Sequence, residues 1–153
     1  MLRTHTCGEL AANDSGKDII LCGWVDTLRI QGKVSFLLLR DRTGITQCFL
    51  NPKLTADYKD LSKESVVLVK GNVKKRPANQ VRKEHPTGEI EIEVSSIEIL
   101  NKAQTPLPIE VNDETTTHID KRLDYRFLDV RRKKISAIFM IRSRIYQYTI
   151  EFF

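Results

Sequence analysis

The chain has 153 residues, 41% hydrophobic and 29% charged, a globular composition that excludes a disordered or fibrous protein. A formal net charge of +5 favours an anionic partner, of which nucleic acid is the commonest. No apolar run approaches membrane-spanning length, and residues 1–10 lack the apolar core of a signal peptide, so a soluble, cytoplasmic protein without membrane contact is expected. The three cysteines, Cys7, Cys22 and Cys48, have no zinc-ligand spacing, and their odd number argues against a disulfide framework. Cys22 and Cys48 lie in apolar runs and read as small buried hydrophobes in a reducing compartment.

The first two-thirds reads as short strands. Residues 18–26 (DIILCGWVD) alternate, with Ile20, Cys22 and Trp24 on one face and Ile19, Leu21 and Val25 on the other. A turn signal at Gln31-Gly32-Lys33 leads into a second strand over 34–40 (VSFLLLR). Asp41-Arg42-Thr43-Gly44 is a hairpin turn, a third strand spans 45–50, and Asn51-Pro52 ends it because proline cannot donate to a ladder. Leu54, Tyr58 and Leu61 have helical spacing, which predicts a short helix over 55–62. Strand character returns over 65–73, a polar segment over 74–87 with Pro77 and Pro86 reads as a long loop, and residues 89–100 alternate strictly. In that last strand Ile90, Ile92 and Val94 share one face, and Glu89, Glu91 and Glu93 the other. Five strands with a helix between the third and fourth predict an all-β fold, a five-stranded OB-fold barrel.

Beyond the barrel the character changes. Pro106 and Pro108 mark a linker, residues 118–134 are strongly charged, and Ile138, Ile141, Ile145 and Tyr148 have helical spacing. The expected organisation is a barrel domain over 1–104, a linker or hinge over 105–134, and a C-terminal helical segment over 135–153. The helical pattern runs to Phe152-Phe153 with no capping residue, which reads as a truncation, made by cloning or by proteolysis, of a longer chain. His5, His85 and His118 share no spacing, so none is assigned to metal binding or catalysis, and no Gly-rich phosphate loop is present.

Several strings, in order, resemble one family. Residues 3–10 (RTHTCGEL), 21–25 (LCGWV), 39–47 (LRDRTGITQ), 87–92 (TGEIEI), 99–103 (ILNKA) and 125–132 (YRFLDVRR) are similar to the N-terminal region of bacterial-type aspartyl-tRNA synthetases, class II aminoacyl-tRNA synthetases. The resemblance implies an anticodon-binding domain, with residues 135–153 beginning a catalytic domain. The parent enzyme would attach aspartate to tRNA using ATP and magnesium. This chain alone would bind tRNA(Asp) through its anticodon loop, without cofactor or catalytic residues and as a monomer, whereas the parent would be a homodimer.

The resemblance also assigns roles. Phe36 matches an aromatic on which an anticodon base stacks, Gln47 a glutamine that reads the central uracil, Arg29 an arginine near the first anticodon positions, and Glu91 a glutamate that reads the last base, cytosine. These roles suit the side chains: an amide offers a donor and an acceptor to uracil, and a carboxylate accepts from the cytosine amino group. From the residues alone, Phe36 shares parity with Arg40, which is not expected to face a core, so Phe36 belongs outside. Lys33, Lys70, Lys74, Lys75, Arg76 and Arg82 are candidate phosphate contacts, with Lys83 and His85 adding reach in the same loop. Two alternatives stay open: an asparaginyl or non-discriminating synthetase domain, and a stand-alone single-strand-binding OB protein.

Overall fold

The structure is a computed structural model that describes residues 2–82, 85–114 and 116–153; Lys83 lies outside them. The chain divides into two compact units, Met1–Thr105 and Pro106–Phe153.

The first unit is a closed barrel of five strands: β1 (Asp18–Gln31), β2 (Val34–Arg40), β3 (Ile45–Leu50), β4 (Val66–Lys75) and β5 (Ile90–Asn101), in the order β1-β2-β3-β5-β4. Neighbours are antiparallel except β3 and β5, which pair in parallel through Cys48 with Ile92 and Phe49 with Glu93. Period-2 alternation places aliphatic side chains inside: Ile19, Leu21 and Val25 from β1, Leu37 and Leu39 from β2, Ile90 and Ile92 from β5. The opposite parity carries the polar and aromatic side chains outward.

Three elements are bounded differently from the sequence reading, and one cysteine is less buried than expected. β1 does not stop at Asp26 but runs to Gln31, because a bulge between Val25 and Thr27 absorbs Asp26 and lets the strand coil on around the barrel. The helix, α1 (Pro52–Tyr58), starts three residues earlier and ends four residues earlier than its hydrophobic spacing suggests. Asn51 caps it, its side chain accepting from the Leu54 amide, and Pro52 fits the first turn, where no amide donor is needed. β4 continues through Lys75, and the long loop is shortened further by a 3-10 turn at Ala78–Gln80. Cys48 is fully buried but Cys22 is only half-buried, since it shares the outward parity of Ile20 and Trp24. Burial pushes the Cys48 thiol up to about 12, with Glu91 adding to the shift.

Two charged knots fasten the barrel. Arg40 has outward parity yet is buried: its guanidinium pairs with Asp26 at 3.2 Å and with Glu64, and lies over the Trp24 ring at 5.7 Å. Phe36 is therefore outside, as its parity with Arg40 implies, but Arg40 itself is held by acids and an aromatic ring rather than by solvent. Asp41 accepts hydrogen bonds from the Thr43 hydroxyl and from the amides of Cys7, Thr43 and Gly44, tying the N-terminal segment to the β2–β3 turn. Burial works against the Asp41 carboxylate, but these hydrogen bonds outweigh it and hold the group below its ordinary 3.8.

The second unit contains α2 (Ile119–Asp124), α3 (Arg126–Asp129) and α4 (Lys133–Phe152). The charged stretch read as linker thus carries two short helices, organised by one carboxylate. Asp129 is fully buried and accepts from Arg122 at 2.9 and 3.2 Å, from Arg126 at 3.0 Å and from Arg132 at 3.0 Å. Hydrogen bonds from Arg122, then Arg132, hold it below the usual carboxylate range. No helix among the described residues is long and apolar enough to cross a membrane.

Two outcomes are expected. A Cβ on Gly71 would stand 2.4 Å from the Glu93 carbonyl oxygen, at the β4–β5 bulge, so Gly71→Ala should cost about 1–3 kcal/mol in denaturant unfolding. Asp41 has a lowered carboxyl, so its contribution is present above the unfolded-state value and fades as pH falls through the lower folded-state value. Thermal melts between pH 6 and 2.5 should therefore show Asp41→Asn less stable near neutrality, with the gap narrowing below about pH 4.

Candidate nucleic-acid interface

The strand register assembles the outward residues into one surface. Arg29 in β1 stands opposite Phe36 in β2, Phe36 opposite Phe49 in β3, and Leu38 opposite Gln47. The Phe36 and Phe49 rings are 5.8 Å apart with planes tilted by 57°, forming a half-buried aromatic ridge. A cavity of about 440 Å³ opens beside Phe36, lined by Arg29, Gln31, Phe36, Leu38 and Gln47 on the barrel side and by Arg76, Asn79, Gln80, Val81 and Arg82 on the other.

The segment after β4 forms one wall of this cavity through Arg76 and residues 79–82, and residues 82–88 are pinned to the barrel and to each other. The Thr87 hydroxyl donates to the Ile45 carbonyl at 2.6 Å, and the Arg82 amide to the Gly88 carbonyl at 3.2 Å. Gly88 is required there, since a Cβ would stand 1.7 Å from the Arg82 carbonyl oxygen.

Glu91 joins the group from β5. Its carboxylate accepts from the Gln47 side-chain amide at 3.3 Å and lies 3.8 Å from Arg76 Nε. That contact sets the Gln47 rotamer: one N–H is committed to Glu91, leaving the second N–H and the carbonyl oxygen for a ligand. Arg76 is almost fully buried, and its burial pulls the guanidinium down from its ordinary range while Glu91 opposes the shift.

The structure thus brings Arg29, Phe36, Gln47 and Glu91 together with Arg76 and Arg82. It does not bring in the four lysines. Lys33 is exposed at the β1–β2 turn, Lys74 pairs with Glu93 at 3.5 Å, and Lys75 is exposed at the end of β4. Lys70 lies in a second groove of about 560 Å³ with Phe49, Asn51 and Asn72. Sequence reasoning missed Phe49, Leu38 and residues 79–81. Phe49 was legible in principle, because it shares the parity of Gln47 in residues 45–50, whereas residues 79–81 carry no periodic signal.

An aromatic ridge beside amide, guanidinium and carboxylate groups is the equipment of a surface that takes unstacked bases. The family model described as the tRNA anti-codon OB-fold nucleic acid binding domain matches residues 19–100. The chain belongs to that family of OB-fold nucleic acid binding domains.

More particular likenesses follow. The chain is 47% identical over 147 residues to the aspartate--tRNA(Asp/Asn) ligase of Thermotoga neapolitana, covering 95% of this chain and 25% of the relative. It is 43% identical over 145 residues to the aspartate--tRNA ligase of Streptomyces griseus, covering 94% of this chain and 24% of the relative. Among solved structures, the asparaginyl-tRNA synthetase of Pyrococcus horikoshii superposes with a TM-score of 0.82 at 31% identity, over 99% of this chain and 35% of that one. The chain spans about a quarter of the length of these curated relatives.

Proposed function

We propose that this chain is the anticodon-reading part of an aspartate–tRNA ligase, and that it binds the anticodon loop of tRNA(Asp) with its bases splayed into the cavity beside Phe36. The observation that carries this reading is the convergence of Arg29, Phe36 and Gln47 on one cavity, with Glu91 hydrogen-bonded to Gln47 at 3.3 Å. In that cavity Phe36 serves as the stacking platform, a contact worth roughly 1–3 kcal/mol per base. Gln47 presents its free N–H and carbonyl to the central uracil. Glu91 accepts from the amino group of the last base, cytosine, and repels the carbonyl that uracil has in its place. Arg29 bonds the edge or phosphate of the first base, and Arg82 adds charge from the opposite wall.

Adenylation of aspartate and its transfer to tRNA belong in this reading to the rest of the ligase, and the chain alone is inactive. Among the described residues no three His, Cys, Asp or Glu side chains converge, and Glu91 is engaged by Gln47 and Arg76. No step of the chemistry is assigned to them.

A second reading, that the parent ligase charges both aspartate and asparagine tRNAs, is favoured by the tRNA(Asp/Asn) specificity in the names of three relatives, including the Thermotoga neapolitana one. The two anticodons, GUC and GUU, differ only at the last base, the one assigned to Glu91.

Filter binding at near-physiological salt tests the proposal. The chain should hold a GUC-anticodon tRNA at least tenfold more tightly than a tRNA sharing none of those bases, and Phe36→Ala or Gln47→Ala should weaken that binding by roughly 5- to 150-fold. Equal affinity for both tRNAs would contradict the reading. A GUU-anticodon tRNA bound as tightly as GUC would favour the dual-specificity alternative.

A further inference from the structure

By charge alone Arg76 belongs with the phosphate-binding candidates, but its position fits a different task. Two basic residues on the outward parity of β4, or just beyond it, face two acids of β5, and the two pairs differ sharply. Lys74 and Glu93 pair at 3.5 Å with side chains 53% and 58% exposed, an arrangement worth little because solvent screens it. Arg76 and Glu91 lie 3.8 Å apart with side chains 4% and 23% exposed. A guanidinium so covered is poorly placed to meet a phosphate arriving from solvent. It also has little else to hold: one nitrogen donates to the Gln80 carbonyl at 3.5 Å, and its Nε has no hydrogen-bond partner among the described residues.

Glu91, in turn, needs such a neighbour. A carboxylate in a pocket meant for RNA is repelled by every approaching phosphate, and left to itself it would swing toward solvent and release the Gln47 amide. We propose that Arg76 is a positioning residue for anticodon reading: from beneath the surface its charge holds the Glu91 carboxylate against Gln47, so that amide and carboxylate meet the bases as one fixed edge. The inference rests on the anticodon reading given above. It differs from a phosphate contact because it makes Arg76 act only through Glu91. It differs from a purely structural role because the binding loss must appear in protein that remains folded.

A double-mutant cycle separates these cases. The affinity of the 153-residue chain for a GUC-anticodon tRNA transcript is measured for the unaltered chain, Arg76→Gln, Glu91→Gln and the double variant, at two salt concentrations. Arg76→Gln is expected to weaken binding about tenfold in the unaltered background and less than twofold in the Glu91→Gln background, with the salt dependence unchanged. Arg76→Lys, which keeps the charge, is expected to recover part of the loss. Equal losses in both backgrounds would overturn the proposal, because a phosphate contact acts independently of Glu91. The folded fraction of each variant is read from its thermal melt alongside, and a binding loss fully accounted for by unfolding would also overturn it, since the Arg76–Glu91 pair would then act on stability alone. A salt slope lower by about 0.7, the value for one single-strand phosphate contact, would likewise overturn it. If the unaltered chain shows no preference for GUC over an unrelated anticodon, the anticodon reading falls and this inference with it. If that preference is present and only the coupling is missing, the inference alone falls.

Discussion

The short parallel pairing of β3 with β5 is the constraint on which the candidate site depends. Gln47 and Glu91 are 44 positions apart in the chain, and nothing local brings them together. Closure does: Cys48 against Ile92 and Phe49 against Glu93 lock the two strands side by side and set their outward residues in one row. Because side chains alternate with period 2, burying Cys48 and Ile92 obliges Gln47 and Glu91 to face the other way. A one-residue slip at this pairing would bury the amide and carboxylate and expose the core.

The same alternation explains how an outer surface can hold buried charge. Arg40 and Arg76 both lie on outward parity and both are nearly inaccessible, yet each sits beside acids: Asp26 and Glu64 for the first, Glu91 for the second. A guanidinium buried without an acid would be strongly destabilising, so each acid is as necessary as its arginine. The Arg40 knot lies beside the β1 bulge and has a structural consequence, since it fastens the point where the strand coils onward. The Arg76 pair borders the cavity and reaches the residues that face it.

Much of this was legible in the sequence. Alternation in residues 89–94 gave the register of that half of β5 and with it the facing of Glu91, but a bulge at Ser95 breaks the alternation expected through residue 100 and buries Ile97 instead. The Asp41–Gly44 turn separated β2 from β3. The roles of Phe36, Gln47, Arg29 and Glu91 came from resemblance, not from pattern. What stayed hidden was of two kinds. Local electrostatics masked boundaries: Asp26 looks like a strand end until its partner Arg40, 14 positions away, is in place. Burial of charged residues was invisible as well. Arg76 reads as one more cation in a basic run, and only the register with β5 separates it from Lys74 and Lys75.

The most direct measurement of the central claim is a set of intermolecular nuclear Overhauser effects between the isotopically labelled chain and an anticodon stem-loop bearing GUC. The account predicts contacts from the Phe36 ring protons to a base, together with shifts of the Gln47 side-chain amide. Base contacts confined to the groove of Asn51 and Asn72, with Phe36 and Gln47 unperturbed, would contradict it.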